Sequence, residues 1–164
     1  MGMIIEFWAF PPEEIQEISK MSEDDFCECV YEEHPADIDT DKSWAGLDYL
    51  MRQATGKTDF PIGFFHLGTP LGFLVGNWGD DDPGARWFNE EETTIIANFL
   101  DTFNRERLHE HFDPSKMDKE QIYPTIWTRD NEEGFDYIYA YFEIIRDFFR
   151  KAADAKSCVI TIFS

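Results

Sequence analysis

Two apolar runs at opposite ends of the chain constrain its fold more than anything between them. Met3-Ile4-Ile5-Glu6-Phe7-Trp8 is rich in β-branched and aromatic side chains and stops at Pro11-Pro12, the pattern of a buried or half-buried strand. Cys158-Val159-Ile160-Thr161-Ile162-Phe163 carries no charge and reads the same way. Each run flanks an amphipathic helix that needs a sheet to cover, so the spacing predicts both strands in one sheet. The helix before the last strand is the longest in the chain. Across residues 132–155, Phe135, Ile138, Tyr139, Phe142, Ile145, Phe149 and Ala152 follow the 3, 4, 7 spacing of one buried face. The expected fold is α+β: a small sheet holding the N- and C-terminal strands, packed with amphipathic helices. At 164 residues one core is the usual solution, so a single domain over 1–164 is expected.

Between the ends, local signals place further elements. Pro12 opens a helix running towards Met21 with Ile15 and Ile18 inward, and a second short helix starts from an N-cap at Ser22 with Phe26 and Val30 on one face. Residues 37–41 read as a polar loop leading into a helix whose Trp44, Leu47, Leu50 and Met51 share a face and whose C-cap is Gly56. The Gly and Pro residues between Phe60 and Trp78 predict turns and short strands. Asn89 and Glu92 form a capping box for a helix with Ile96, Phe99, Leu100 and Phe103 on its apolar stripe, which continues through residues 105–111 and ends at Asp113-Pro114. Residues 121–127 read as extended.

Charge is the strongest compositional signal. With 34 Asp and Glu against 14 Lys and Arg the net charge is −20, which disfavours direct binding to nucleic acid because phosphate recognition needs clustered cations. The excess is uneven: residues 1–50 hold fourteen acids against Lys20 and Lys42, whereas 51–100 and 101–164 each come to −4. The apolar runs are far shorter than the roughly 20 residues that cross a bilayer, and no basic leader or cleavage site is present. No membrane association is expected. Cys27, Cys29 and Cys158 have neither metal-knuckle spacing nor an even count, so reduced thiols and a cytoplasmic location are expected.

The chain resembles a known bacterial family, the YfbM-like proteins of unknown function. The likeness is carried by Met1-Gly2-Met3, by Asp39-Thr40-Asp41-Lys42-Ser43-Trp44 with Leu47 and Leu50, by Ala85-Arg86-Trp87-Phe88 before Glu91 and Glu92, by Phe112-Asp113-Pro114, and by Ile122-Tyr123-Pro124 with Trp127. It spans the chain essentially end to end. The resemblance implies an α+β domain and carries no settled activity. Pro83-Gly84 reverses the order frequent in the family, and Asp48 stands where a His is frequent.

Constellations of chemistry are few. Asp37, Asp39, Asp41 and Asp48 fall near the spacing of a calcium loop, but Lys42 sits where a glycine must turn and the last ligand is not Glu, so they read as a helix-capping loop. Asp80-Asp81-Asp82 before Pro83-Gly84 reads as a solvated turn. His109 and His111, two residues apart, point to different sides of a helix and do not make a zincin pair. No metal and no cofactor are expected, and no catalytic residue is identified. The candidate pocket places Arg86 and Trp87 with Trp44 and Tyr123, where a guanidinium among aromatics receives a carboxylate or phosphate; in the alternative reading Arg86 pairs with Asp39 or Asp41 at a loop junction. The expected function is a non-catalytic, acidic protein-binding module, immunity- or inhibitor-like. Its face of Glu13, Glu17, Asp24, Glu28 and Glu32 captures a basic partner such as a toxin or nucleic-acid-binding protein. The alternative is a small enzyme, a hydrolase, using the pocket around Arg86.

Overall fold

The computed structural model describes residues 2–72 and 84–164. Its centre is a five-stranded antiparallel sheet in the order β2-β1-β5-β4-β3, with strands β1 (Ile5–Phe10), β2 (Ile38–Asp39), β3 (Thr69–Pro70), β4 (Arg86–Phe88) and β5 (Cys158–Phe163). The two terminal strands are partners. β1 runs against β5 from Ile5↔Phe163 to Phe10↔Cys158, and β5 takes the centre of the sheet with all six residues buried. β1 begins two residues later than the apolar run and extends to Phe10, because Ala9 and Phe10 still find ladder partners in Val159 and Cys158.

An apolar run becomes a central strand because both faces of the sheet are covered. On one face Trp8, Ile160 and Ile162 meet Ile15 and Ile18 of α1 (Pro12–Ile18), Phe26 of α2 (Glu23–Phe26), and Val30 of the π-helical segment Cys27–Glu32 that continues α2. On the other, Ile5, Phe7, Val159, Phe163 and Phe88 lie under α3 (Trp44–Thr55), α4 (Glu90–Leu100) and α8 (Glu132–Asp154). Phe7 is the pivot of that larger core, with Phe64, Phe65, Phe148 and Phe149 all within 6.4 Å between ring centroids. In α8 the periodic stripe is buried as its spacing requires, except Tyr139, which is half-buried. No helix among the described residues is long and apolar enough to cross a membrane.

Several local expectations are corrected. The polar loop at 37–41 contains β2, because its polar groups zip onto the free edge of β1: Thr40 Oγ1 accepts from Ile5 N–H at 3.0 Å and the Asp37 carboxylate from Ala9 N–H at 2.7 Å. Ser22 and the Asn89/Glu92 box cap as expected, and Gly56 closes α3 at φ +66°. The helix after Asn89, however, stops at Leu100. Asn104 then caps a separate α5 (Arg105–His109) by accepting from Arg107 N–H, local bonding that competes with helix continuation. Asp113-Pro114 starts a helix where the sequence reading ends one: Asp113 accepts from Lys116 N–H and Pro114 occupies the first position of α6 (Pro114–Lys119). Residues 121–127 are a turn, with Gln121 and Thr125 at φ +57° and +59°, and Trp127 opens α7 (Trp127–Asp130). The Asp80–Asp82 turn lies outside the described residues.

Candidate functional site

The five acidic residues singled out from the sequence all sit on the smaller helical layer, and all are exposed. α1 presents Glu13 and Glu17; the second helix presents Asp24 and, on its π-helical turns, Glu28 and Glu32. Between the two helices runs a groove of about 500 Å³. Phe10, Ile18, Met21 and Val30 form its apolar lining, and Glu13, Glu14 and Glu17 stand along it. Asp24, Glu28 and Glu32 lie on the same layer but do not line the groove. Sequence reasoning missed the apolar floor, since it is assembled from the end of β1 and from two helices that are each too short to show a stripe.

The π-helical turns shape this groove. A π-helix has a wider turn than an α-helix and occurs mostly as short insertions, frequently at functional sites. Here it carries Cys29 and Val30, both lining the groove. The charged neighbours of the two cysteines of this segment are acidic. Desolvation, then Glu23, Asp24 and Glu32, push the Cys27 thiol up; desolvation, then Glu33, Glu28 and Asp25, do the same to Cys29. Both shifts favour the thiol over the thiolate.

The residues of the candidate pocket are only partly brought together: Trp44 stacks with Tyr123 and meets His66, on which Arg86 acts, whereas Trp87 packs on the other face of the sheet. Arg86 and Trp87 are successive in β4 and therefore point to opposite faces of the sheet: Trp87 packs with the α1/α2 cluster, while Arg86 Nη1 donates to the Gly68 carbonyl at 3.2 Å. Asp39 is on β2, three strand spacings from Arg86, or about 14 Å, so the alternative pairing of the two is not made either. Asp41 accepts from the Tyr137 hydroxyl at 2.9 Å. Burial, then this bond, push the Tyr137 phenol well up, so it stays a donor.

Trp44 and Tyr123 do meet, stacked with centroids 6.0 Å apart. Together they grip the start of the chain: Trp44 Nε1 donates to the Met3 carbonyl at 3.0 Å and Met3 N–H donates to the Tyr123 hydroxyl at 3.1 Å. His66, unremarked in the sequence because it lies in the turn-rich stretch before β3, joins this aromatic group edge-on to Trp44 and stacked on Phe163. His66 is exposed as a residue, but desolvation of its ring against Trp44 and Phe163 pushes its pKa down; Asp48 opposes this, and Arg52 and Arg86 add to it.

The Asp37, Asp39, Asp41 and Asp48 series has no shared centre. Their carboxylates accept, in turn, from Ala9 N–H, Asp41 N–H, the Tyr137 hydroxyl and Arg52 Nε, so they zip a strand edge and fix a helix face; none caps α3, whose start has no side-chain cap. His109 pairs with Glu132 at 2.9 Å. Among the described residues no group of three or more His, Cys, Asp or Glu is placed to hold a metal ion.

Comparison with known proteins agrees with this architecture. The model of a family described as a domain of unknown function, DUF1877, matches residues 1–162. The crystal structure of YfbM from Escherichia coli, a protein of unknown function, matches with a TM-score of 0.65 at 20% identity, covering 98% of this chain and 99% of that one; at that identity the likeness is one of fold. No curated protein matches the chain.

Proposed function

Because the chain belongs to the DUF1877 family, a domain of unknown function, we propose its function from its own surface: a non-catalytic protein-binding module that captures a basic partner on the α1/α2 layer, in the manner of an immunity protein or inhibitor. The observation that carries this reading is the groove, where an apolar floor lies inside an acidic margin. That combination offers burial for one or two large side chains and attraction for Lys and Arg around them. Lys20 is the one Lys or Arg in residues 1–41, and it is exposed and bonded to Glu17 at 3.0 Å, so little on this layer offsets its field. The pocket around Arg86 has less support, since Trp87 packs on the opposite face of the sheet.

The test is association of a basic protein, recovered from native cells at low salt and lost at high salt, with wild type and with a variant carrying Gln or Asn at Glu13, Glu17, Asp24, Glu28 and Glu32. The variant is expected to associate about tenfold more slowly and with a shallower salt dependence, because steering acts on encounter. Met21→Asp, which puts a charge on the floor, is expected to speed dissociation. An unchanged rate and salt dependence in the charge variant, with unchanged dissociation in the floor variant, removes the reading.

A further inference from the structure

Beside its core stripe α8 carries a second apolar stripe. Ile144, Phe148, Ala152 and the C-cap Ala155 recur at intervals of three and four and therefore share a face. Ile144 is 45% exposed, more than any other large hydrophobic side chain among the described residues. The stripe forms one wall of a groove of about 580 Å³, whose other wall is the edge of the sheet, where β2 has only two residues. Asp147 and Lys151, one helical turn apart on one flank of that face, line the same groove. Asp147 pairs with the adjacent Arg146 at 3.1 Å, with both groups at the surface. Lys151 is exposed and makes no ion pair among the described residues.

An acid and a base four residues apart on one flank of a helix are complementary to themselves. When two copies of the helix meet antiparallel about a two-fold axis, each flank faces the same flank of the other copy in reverse order, so Asp147 opposite the second copy's Lys151 brings the reciprocal pair with it. That register is centred on Phe149. It also sets Ile144 level with the second copy's Asp154, between its Ala152 and Ala155, where small side chains leave room for a large one and let the helices approach closely. Charge and size therefore select the same register. α8 lies on the face of the sheet opposite α1 and α2, so in a chain of net charge −20 the acidic α1/α2 layer is turned away from the contact. From these observations we propose that α8 is the contact of a two-fold dimer, in which Ile144 of each copy enters the other's groove and Asp147 and Lys151 exchange ion pairs across the axis. The α1/α2 groove stays open in that dimer, so the proposal does not depend on the capture of a basic partner.

The experiment is sedimentation equilibrium of the full chain over a range of concentrations, with circular dichroism to check that each variant is folded. Wild type is expected to show a reversible monomer–dimer equilibrium, and Ile144→Glu to remain a monomer. Asp147→Lys sets like charges opposite one another at both symmetric places and is expected to weaken the dimer about tenfold or more. The double change Asp147→Lys with Lys151→Asp reverses both members of each pair and is expected to return the affinity to within about threefold of wild type. Lys151→Asp serves as the single reversal if Asp147→Lys melts early. A wild type that is monomeric at every concentration, a dimer that Ile144→Glu leaves intact, a single reversal without effect, or one that the double change does not restore overturns the proposal; in the first case the groove is left to a different protein or a small ligand.

Discussion

Two glycines on different helices flank one tryptophan, and the structure predicts opposite outcomes for the same substitution. The Trp127 indole is fully buried between Gly46 of α3 and Gly134 of α8. On helix propensity alone both Gly→Ala changes are favourable, by up to about 1 kcal/mol in a helix interior. At Gly46, however, a Cβ would stand 2.7 Å from Trp127 Cη2 and 2.8 Å from Ile138 Cδ1, closer than side chains tolerate. The ring has little freedom to yield, since Nε1 donates to the Ile122 carbonyl at 2.7 Å and the backbone N–H to Asp118 at 3.1 Å. Overpacking of this kind costs about 1–3 kcal/mol. Against the propensity gain, Gly46→Ala is expected to lose about 1 kcal/mol net, or about 2–4 °C in melting temperature for a chain of this size. At Gly134 the nearest atom is Trp127 Cε3 at 3.5 Å, an ordinary contact, so Gly134→Ala is expected to gain about 0.5 kcal/mol, reduced from the interior value because the site is in the first turn. Urea titration of both variants checks the pair. A Gly46→Ala protein at least as stable as wild type would refute the claim that the α3–α8 approach is set by that indole.

Phe142, fully buried on the α8 stripe, is expected to cost about 3–5 kcal/mol as Phe142→Ala, and a loss below about 1 kcal/mol in denaturant titration would show the stripe to be exposed in solution. His66 has its pKa lowered chiefly by desolvation of its ring against its aromatic neighbours, so around and just below the unfolded value of about 6.5 the folded state binds fewer protons than the unfolded one. Its contribution is fully present above that pH and is lost as pH falls through the folded pKa; His66→Gln is expected to flatten the fall in stability on the acid side of 6.5, measured by urea titration at several pH values. Asp118 accepts from Trp127 N–H, Thr128 N–H and the Thr128 hydroxyl, capping α7 from outside it, so Asp118→Ala is expected to cost about 1 kcal/mol in a thermal or urea melt.

The frame of the fold was legible because its elements repeat strongly. A 23-residue helix with one buried stripe and two six-residue strands leave no competing period. The misread elements are short or governed by single polar side chains. β2 has two residues and exists because Asp37 and Thr40 bond to β1, a tertiary event that a polar sequence does not announce. Asp113-Pro114 suits a helix start as well as a helix end, and only the chain that follows decides. Arg86 and Trp87 were grouped because they adjoin; a three-residue strand is too short to show its alternation, and that alternation separates them.

The acidic face was legible as density, and the structure adds why the density matters. On the larger layer several cations are matched: Arg150 bonds to Asp101, Arg146 to Asp147, Arg129 to Asp130, and Arg105 to Asp136 while lying over Phe135. These pairs link or brace α4, α5, α7 and α8 and leave that side with a mixed surface. Within residues 12–32, which form the α1/α2 layer, Lys20 is the one Lys or Arg, and it pairs with Glu17, so the other acids of the layer have no Lys or Arg of their own helices beside them. Solubility asks for net charge but is indifferent to where it sits, and mixed signs serve it well. Segregation instead raises the local potential, and it does so around the apolar groove of that layer. On the proposed reading, charge beside a buryable floor makes the floor variant Met21→Asp as informative as removal of the carboxylates.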